Sequence, residues 1–208
     1  VVATVNVGAA PTGASYDSAK GEVFVPNRSA NTVSVISDAT NAVVATVNVG
    51  VNPTGAAYDS AKSEVFVANF GANTTSVISD ATNAVVATVS VGGNPYGAAY
   101  DSAKGEVFVA NYGTNTVSVV SDGTNTVVAT VNAGTHAYGA AYDSAKGEVF
   151  VTNRSDNTLS VISDGSSTTT TTTPEFPAQW LIATLALSIA ICGLLLGRNQ
   201  KRALGARL

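Results

Sequence analysis

Short runs of Val, Thr, Phe and Ile, separated by Asp, Asn, Gly and Pro, recur with a fixed period of 42 residues over the first 164 positions. In the second copy the runs are GAAY at 55–58, EVFVAN at 64–69, TSVIS at 75–79 and VVATVSV at 85–91. β-Branched and aromatic side chains suit a pleated, packed surface, and the breaks carry turn chemistry, so each copy predicts four short strands. No window holds a 3.6-residue period, which predicts no helix among the repeats. Gly8, Gly50, Gly92 and Gly134 mark the period, as do Tyr16, Tyr58, Tyr100 and Tyr142, and no copy carries an insertion.

One four-stranded sheet exposes two edges and buries little, whereas sheets packed face to face around an axis bury both faces. Repeats of about 40 to 45 residues built this way are the usual sign of propeller blades, and a stacked solenoid normally has shorter coils. The expected fold is therefore all-β: a β-propeller of four-stranded antiparallel blades, followed by one C-terminal transmembrane helix. The small GAAY run fits the strand nearest the axis. Residues 1–7 read as a fourth strand without its own blade, and the last copy stops after its third. If the ring closes, the blades are 10–50, 52–92, 94–134 and 136–164 with 1–8. A small closed ring, part of a larger ring, and two chains sharing a ring of eight are all compatible with the sequence.

The second strands read VFVPN at 23–27, VFVAN at 65–69 and 107–111, and VFVTN at 149–153, each followed after a few residues by an NT pair and a further strand. This pattern resembles the YVTN β-propeller repeat family, found mostly in surface-layer and other extracytoplasmic proteins of archaea and bacteria. The resemblance implies an extracytoplasmic location and a propeller fold. It implies no particular activity, because function lies in sites and not in folds.

Composition changes after Asp164. Residues 165–177 hold a Ser/Thr-rich stalk, with nothing apolar to bury over 165–173, and then Pro174, Glu175, Phe176 and Pro177. Residues 178–197 carry no charge, and at 1.5 Å per residue such a helix is about 30 Å long, the thickness of a bilayer core. Its Leu and Ile residues favour insertion by roughly 3 to 5 kcal/mol. The basic tail at 198–208 marks the cytoplasmic side, which leaves the repeats outside. The PEFP motif, the span and the basic cluster, in that order, resemble the PEF-CTERM sorting signal of archaea. That resemblance implies an archaeosortase-like processing enzyme as a partner and a mature protein in which the span is replaced by a lipid-type anchor. The chain shows no signal peptide ahead of the repeats, so an N-terminal part of the precursor is expected to be missing or removed.

The net charge of −4 hides a division: the part before Arg198 carries −8 and the tail +4. So acidic a body, with few cations to cluster, argues against a nucleic-acid partner. The one cysteine lies in the apolar span at Cys192, so the repeats can hold neither a disulfide nor a Cys-ligated metal. With a single histidine, His136, the repeats offer no set of bases for acid–base or nucleophilic catalysis, and the reading assigns no catalytic residue, no metal and no cofactor. The recurring acids, such as Asp17, Asp59, Asp101 and Asp143, read as turn residues. Phe70, Tyr112 and His136 read as possible ligand-contact loops: the first two replace Arg28 and Arg154 of the outer repeats, and His136 replaces Asn52 and Asn94. Packing between blades for the two aromatic residues, and loop drift for His136, are the more ordinary readings. Asn27, Asn73 and Asn153 head N-x-Ser/Thr sequons and are expected glycan acceptors on an exported protein. The expected function is a non-enzymatic, membrane-anchored cell-surface propeller, an envelope component or an adhesion module binding a surface protein or glycan. An extracytoplasmic lactonase-like or redox enzyme is the alternative.

Overall fold

Turn chemistry and strand composition give strands throughout. The computed structural model describes residues 1–165, and every regular element among them is a β-strand. The first sheet holds β1 (Ser15–Asp17), β2 (Glu22–Asn27), β3 (Thr32–Ser37) and β4 (Ala42–Asn48). The second holds β5 (Pro53–Asp59), β6 (Glu64–Asn69), β7 (Thr74–Ser79) and β8 (Ala84–Ser90). The third holds β9 (Pro95–Asp101), β10 (Glu106–Asn111), β11 (Thr116–Ser121) and β12 (Thr126–Asn132), and the fourth β13 (Ala137–Asp143), β14 (Glu148–Asn153) and β15 (Thr158–Ser163). Strands pair in sequence order, antiparallel, with a register shift in the third strand of each of the first three sheets, as at Val77 and Ile78. The stalk, the PEFP motif, the span and the basic tail lie outside the described residues.

Alternation along each strand sends its side chains to two faces, and both faces find a neighbour. From the second sheet, Phe66, Ala68, Val77 and Val89 meet Val107, Val109 and Val120 of the third. On its other face, Val65, Val67 and Ile78 meet Phe24, Val33, Val35 and Val47 of the first. Phe108, Val117 and Val119 meet Val149, Val151 and Ile162 in the same way. Each fully buried Val, Ile or Phe contributes about 1.5 to 3 kcal/mol of transfer free energy, which is what a lone sheet would lack.

The seams are narrowest along the first strand of each sheet. Thr12 Oγ1 donates to the Thr54 carbonyl at 2.7 Å, and Thr54 Oγ1 to the Tyr96 carbonyl at 3.0 Å. A Cβ on Gly55 would stand 2.5 Å from the Tyr96 carbonyl oxygen, so only glycine permits that approach. The motif asparagines brace each sheet internally at this same end, where Asn69 pairs with Pro53. Asn69 is buried, and its Nδ2 donates to Thr74 Oγ1 at 3.1 Å and Ser76 Oγ at 2.9 Å, with Asn27, Asn111 and Asn153 repeating the arrangement.

Four sheets make three seams here. Residues 1–7 form no strand and β15 has no fourth partner, so 1–8 do not complete the last blade. The reason is local. Gly8 sits over Asn27 as Gly50 sits over Asn69, which commits the N-terminal segment to the first sheet. Leu159 and Val161, at the positions of the buried Val33 and Val35, are 51% and 53% exposed, so the described residues form an open arc of sheets. The contrast is testable. Val77→Ala is expected to destabilise by about 2 kcal/mol, and Val161→Ala, the same position two repeats later, to stay within about 0.5 kcal/mol, by urea unfolding.

Candidate functional site

The loops at one end of the sheets, between second and third strands, are hung on the sheet-to-sheet connections. The amide of Phe70 donates to the Asn52 carbonyl at 3.0 Å, that of Tyr112 to Asn94 at 3.1 Å and that of Arg154 to His136 at 3.1 Å. Those connections are stapled in turn to the preceding sheet: Asn31, Asn73 and Asn115 accept through Oδ1 from the amides of Asn52, Asn94 and His136, each at 2.8 Å. Asn52, Asn94 and His136 all adopt positive φ, near 52° to 58°, a conformation that asparagine tolerates well and histidine less often. Backbone position at this end is thus uniform from sheet to sheet.

Side chains there are not uniform. The slot after the motif asparagine holds Arg28, Phe70, Tyr112 and Arg154, and the slot opening the first strand holds Thr12, Thr54, Tyr96 and Tyr138. Their variable members converge. Tyr96 and Tyr138 stack at 3.8 Å between centroids, and Phe70 meets Tyr96 edge-on at 6.2 Å. Tyr112 stacks on His136 at 4.1 Å and lies 6.4 Å from Tyr138. Arg28 stands 5.1 Å from the Phe70 ring centroid and Arg154 5.5 Å from that of Tyr138, both within cation–π range. The cup they enclose has a volume of about 310 Å³. A second cavity of similar size runs along the first strands and shares Tyr96 and Tyr138 as its wall.

Charge is divided between the two ends. Both arginines of the described residues lie in the cup, and Asp156 is the one carboxylate at this end, held below its usual range by the Thr135 amide to which it is bonded. Among the described residues the other Asp and Glu residues, and the lysines, lie at the opposite end, in the turns after the first and third strands and at the start of the second. Neither arginine forms an ion pair among the described residues. Tyr138 is raised above the usual phenol value, first by the Tyr96 hydroxyl and then by burial, while Arg154 and Arg28 pull it down. Both guanidinium groups therefore act on one hydroxyl.

The opposite end is built for structure. Asp17, Asp59 and Asp101 are fully buried and receive the amides of their own turns, as Asp17 does from Ala19 and Lys20 at 2.8 and 3.1 Å. Across the first seam Asp80 is raised, by burial and then by the neighbouring Asp17, and across the second Asp122 is raised, by burial and then by Asp59. Tyr58, in the first of these seams, is pushed up to about 12 by burial and by Asp17. Among the described residues no group of three or more His, Asp or Glu is placed to hold a metal ion.

Phe70, Tyr112 and His136, the three loop residues singled out from the sequence, fall into one cluster. Tyr96 and Tyr138 were not singled out, although Thr-to-Tyr exchange at one slot of an otherwise constant strand was there to be read. Two expected glycan acceptors are corrected: Asn27 and Asn153 are buried with Nδ2 committed to Thr and Ser hydroxyls, which removes them from a transferase in the folded protein. Asn73 is exposed. The PEFP residues lie outside the described residues.

No family model matches the chain, and no curated protein does. Among solved structures the chain is similar to Kuenenia stuttgartiensis hydrazine synthase, a propeller-like protein, with a TM-score of 0.70 and 17% identity. The match covers 77% of this chain and 47% of that one, so the chain spans about half the length of its neighbour. The fold is propeller-like. At that identity the likeness concerns fold alone.

Proposed function

We propose that this protein is a non-enzymatic binding module of the cell surface, tethered to the membrane through its C-terminal segment and presenting the loop end of a propeller-like arc. One observation carries the reading: repeats that are otherwise nearly alike differ where Arg28, Phe70, Tyr96, Tyr112, Tyr138 and Arg154 come together. A scaffold needs like repeats, whereas a binding site needs unlike ones at a single place. The resemblance of the repeats to the YVTN family, and of residues 174–202 to a PEF-CTERM signal with its archaeosortase-like partner, supports an extracytoplasmic placement. So do the uncharged run at 178–197 and the basic tail.

Labelling tests the placement. When the full chain is made in its native type of host, a membrane-impermeant amine reagent is expected to modify Lys20 and Lys62 in intact cells, as both are exposed. Labelling only after lysis contradicts the reading.

A further inference from the structure

The chemistry of the cup narrows what enters it. Each guanidinium offers five N–H donors in a planar fork, and in Arg28 and Arg154 none is spent on a side chain among the described residues. Two such groups at one cavity, at the end of the described region whose single carboxylate, Asp156, is taken up by the Thr135 amide, select an anion. A carboxylate matches the fork bidentately. The aromatic groups define the rest of the ligand. Tyr96 and Tyr138 stack on each other, as do Tyr112 and His136, so neither pair leaves a slot into which a flat base could slide. What the rings offer is one-sided apolar faces and hydroxyl edges. His136 Nδ1 is bonded to Ser155 and its other ring nitrogen has no partner among the described residues. An apolar platform beside hydroxyl and imidazole groups suits a sugar, whose C–H face stacks and whose hydroxyls bond at the rim. About 310 Å³ is at the lower end of small-ligand sites, enough for one or two rings of an oligosaccharide entering from solvent.

We propose that the cup binds carboxylated sugars, with the carboxylate held by Arg28 and Arg154 and the ring resting on the aromatic platform around Tyr112 and Tyr138. This rests on the cup being a binding surface, as proposed above. The probe is a uronic-acid tetramer such as oligogalacturonate, titrated calorimetrically into the full chain in detergent beside the matching neutral galactose tetramer. The uronate is expected to bind and the neutral tetramer to bind at least about tenfold more weakly, with affinity falling as salt is added. Arg28→Gln and Arg154→Gln are each expected to weaken binding about tenfold, and the double variant about a hundredfold or more, with unfolding midpoints unchanged to within about a degree or two because Arg154 is exposed and Arg28 only half-buried. Arg28→Lys keeps the charge but loses the fork, and is expected to restore only part of the loss.

Equal binding of the two tetramers, or an unweakened double variant, overturns the carboxylate assignment. If Tyr112→Ala then still abolishes binding, the cup remains a sugar site and only the charge inference falls. Inorganic phosphate displacing the uronate at equal concentration also overturns it, in favour of a phosphorylated ligand. Absence of any binding, together with labelling confined to lysed cells, removes both readings.

Discussion

Gly97→Val is expected to destabilise the repeats by about 3 kcal/mol or more, a large share of what a small domain commonly has. A Cβ built on Gly97 stands 2.6 Å from the Tyr138 carbonyl oxygen, 2.9 Å from Gly139 Cα and 3.0 Å from the Ala140 nitrogen. All three are backbone atoms, so no side chain can swing aside. Valine is also a better strand former than glycine, so β9 itself gains from the exchange and the loss isolates the contact between neighbouring sheets. Gly123→Ala is the control. Its Cβ meets nothing nearer than Ser121 Oγ at 3.7 Å, and alanine stands at that turn position in the two preceding repeats. Urea unfolding of the pair is expected to show a large drop for the first and a change within about 0.5 kcal/mol for the second. Comparable stabilities would mean that the first strands do not approach as described.

The unfolding midpoint is expected to lie a few degrees higher near about pH 5 than near about pH 8. Asp80, Asp122, Glu64 and Glu106 are all raised, in each case most by burial. A raised acid holds its proton more tightly folded than unfolded. Its contribution is complete below the ordinary carboxylate value of about 4 and disappears as pH climbs through the folded value. Asp17 runs the opposite way. Burial pushes it up, but the Tyr58 hydroxyl and the amides of Lys20 and Ala19 outweigh burial and hold it low, so its contribution is present above about pH 4 and lost beneath it. Together these place the optimum in mild acid. Two buried carboxylates facing one another across a seam cannot both ionise without cost, so one proton shared by Asp17 and Asp80 is the stable arrangement. Asp80→Asn, which keeps a donor for Asp17 and removes the second charge, is expected to flatten the dependence. A midpoint that rises towards pH 8 would contradict this account of the seams.

The propeller-like fold was legible because its signals repeat. Strand-forming composition, turn residues at each joint and a small first strand, repeated every 42 positions, all pointed one way, and the 2.5 Å approach at Gly55 explains why GAAY stays small. The motif asparagine was legible as a pattern but not as a role. Heading an N-x-Ser sequence, Asn27 read as a surface acceptor, whereas burial and two hydroxyl partners make it a strut, and only the pleat of β2 decides which. The open end of the arc was not legible either, since residues 1–7 have strand composition and nothing in composition says which edge a strand meets. The cup falls between these cases. Its loop members stood out one at a time, but Phe70 and Tyr138 are 68 positions apart, and their meeting depends on the angle at which sheets fan. Comparing slots across repeats, and asking where like units differ, is the reading that would have found it.

The central claim is that side chains from different repeats assemble into one aromatic, arginine-rimmed cup. Ring-to-ring nuclear Overhauser effects on the full chain in detergent, with tyrosine and histidine rings selectively labelled, test it directly. Strong cross-peaks between the Tyr96 and Tyr138 rings, 3.8 Å apart, and between the Tyr112 and His136 rings, 4.1 Å apart, are the predicted result. Rings that show contacts only within their own repeat, and that are equally open to solvent, would contradict it.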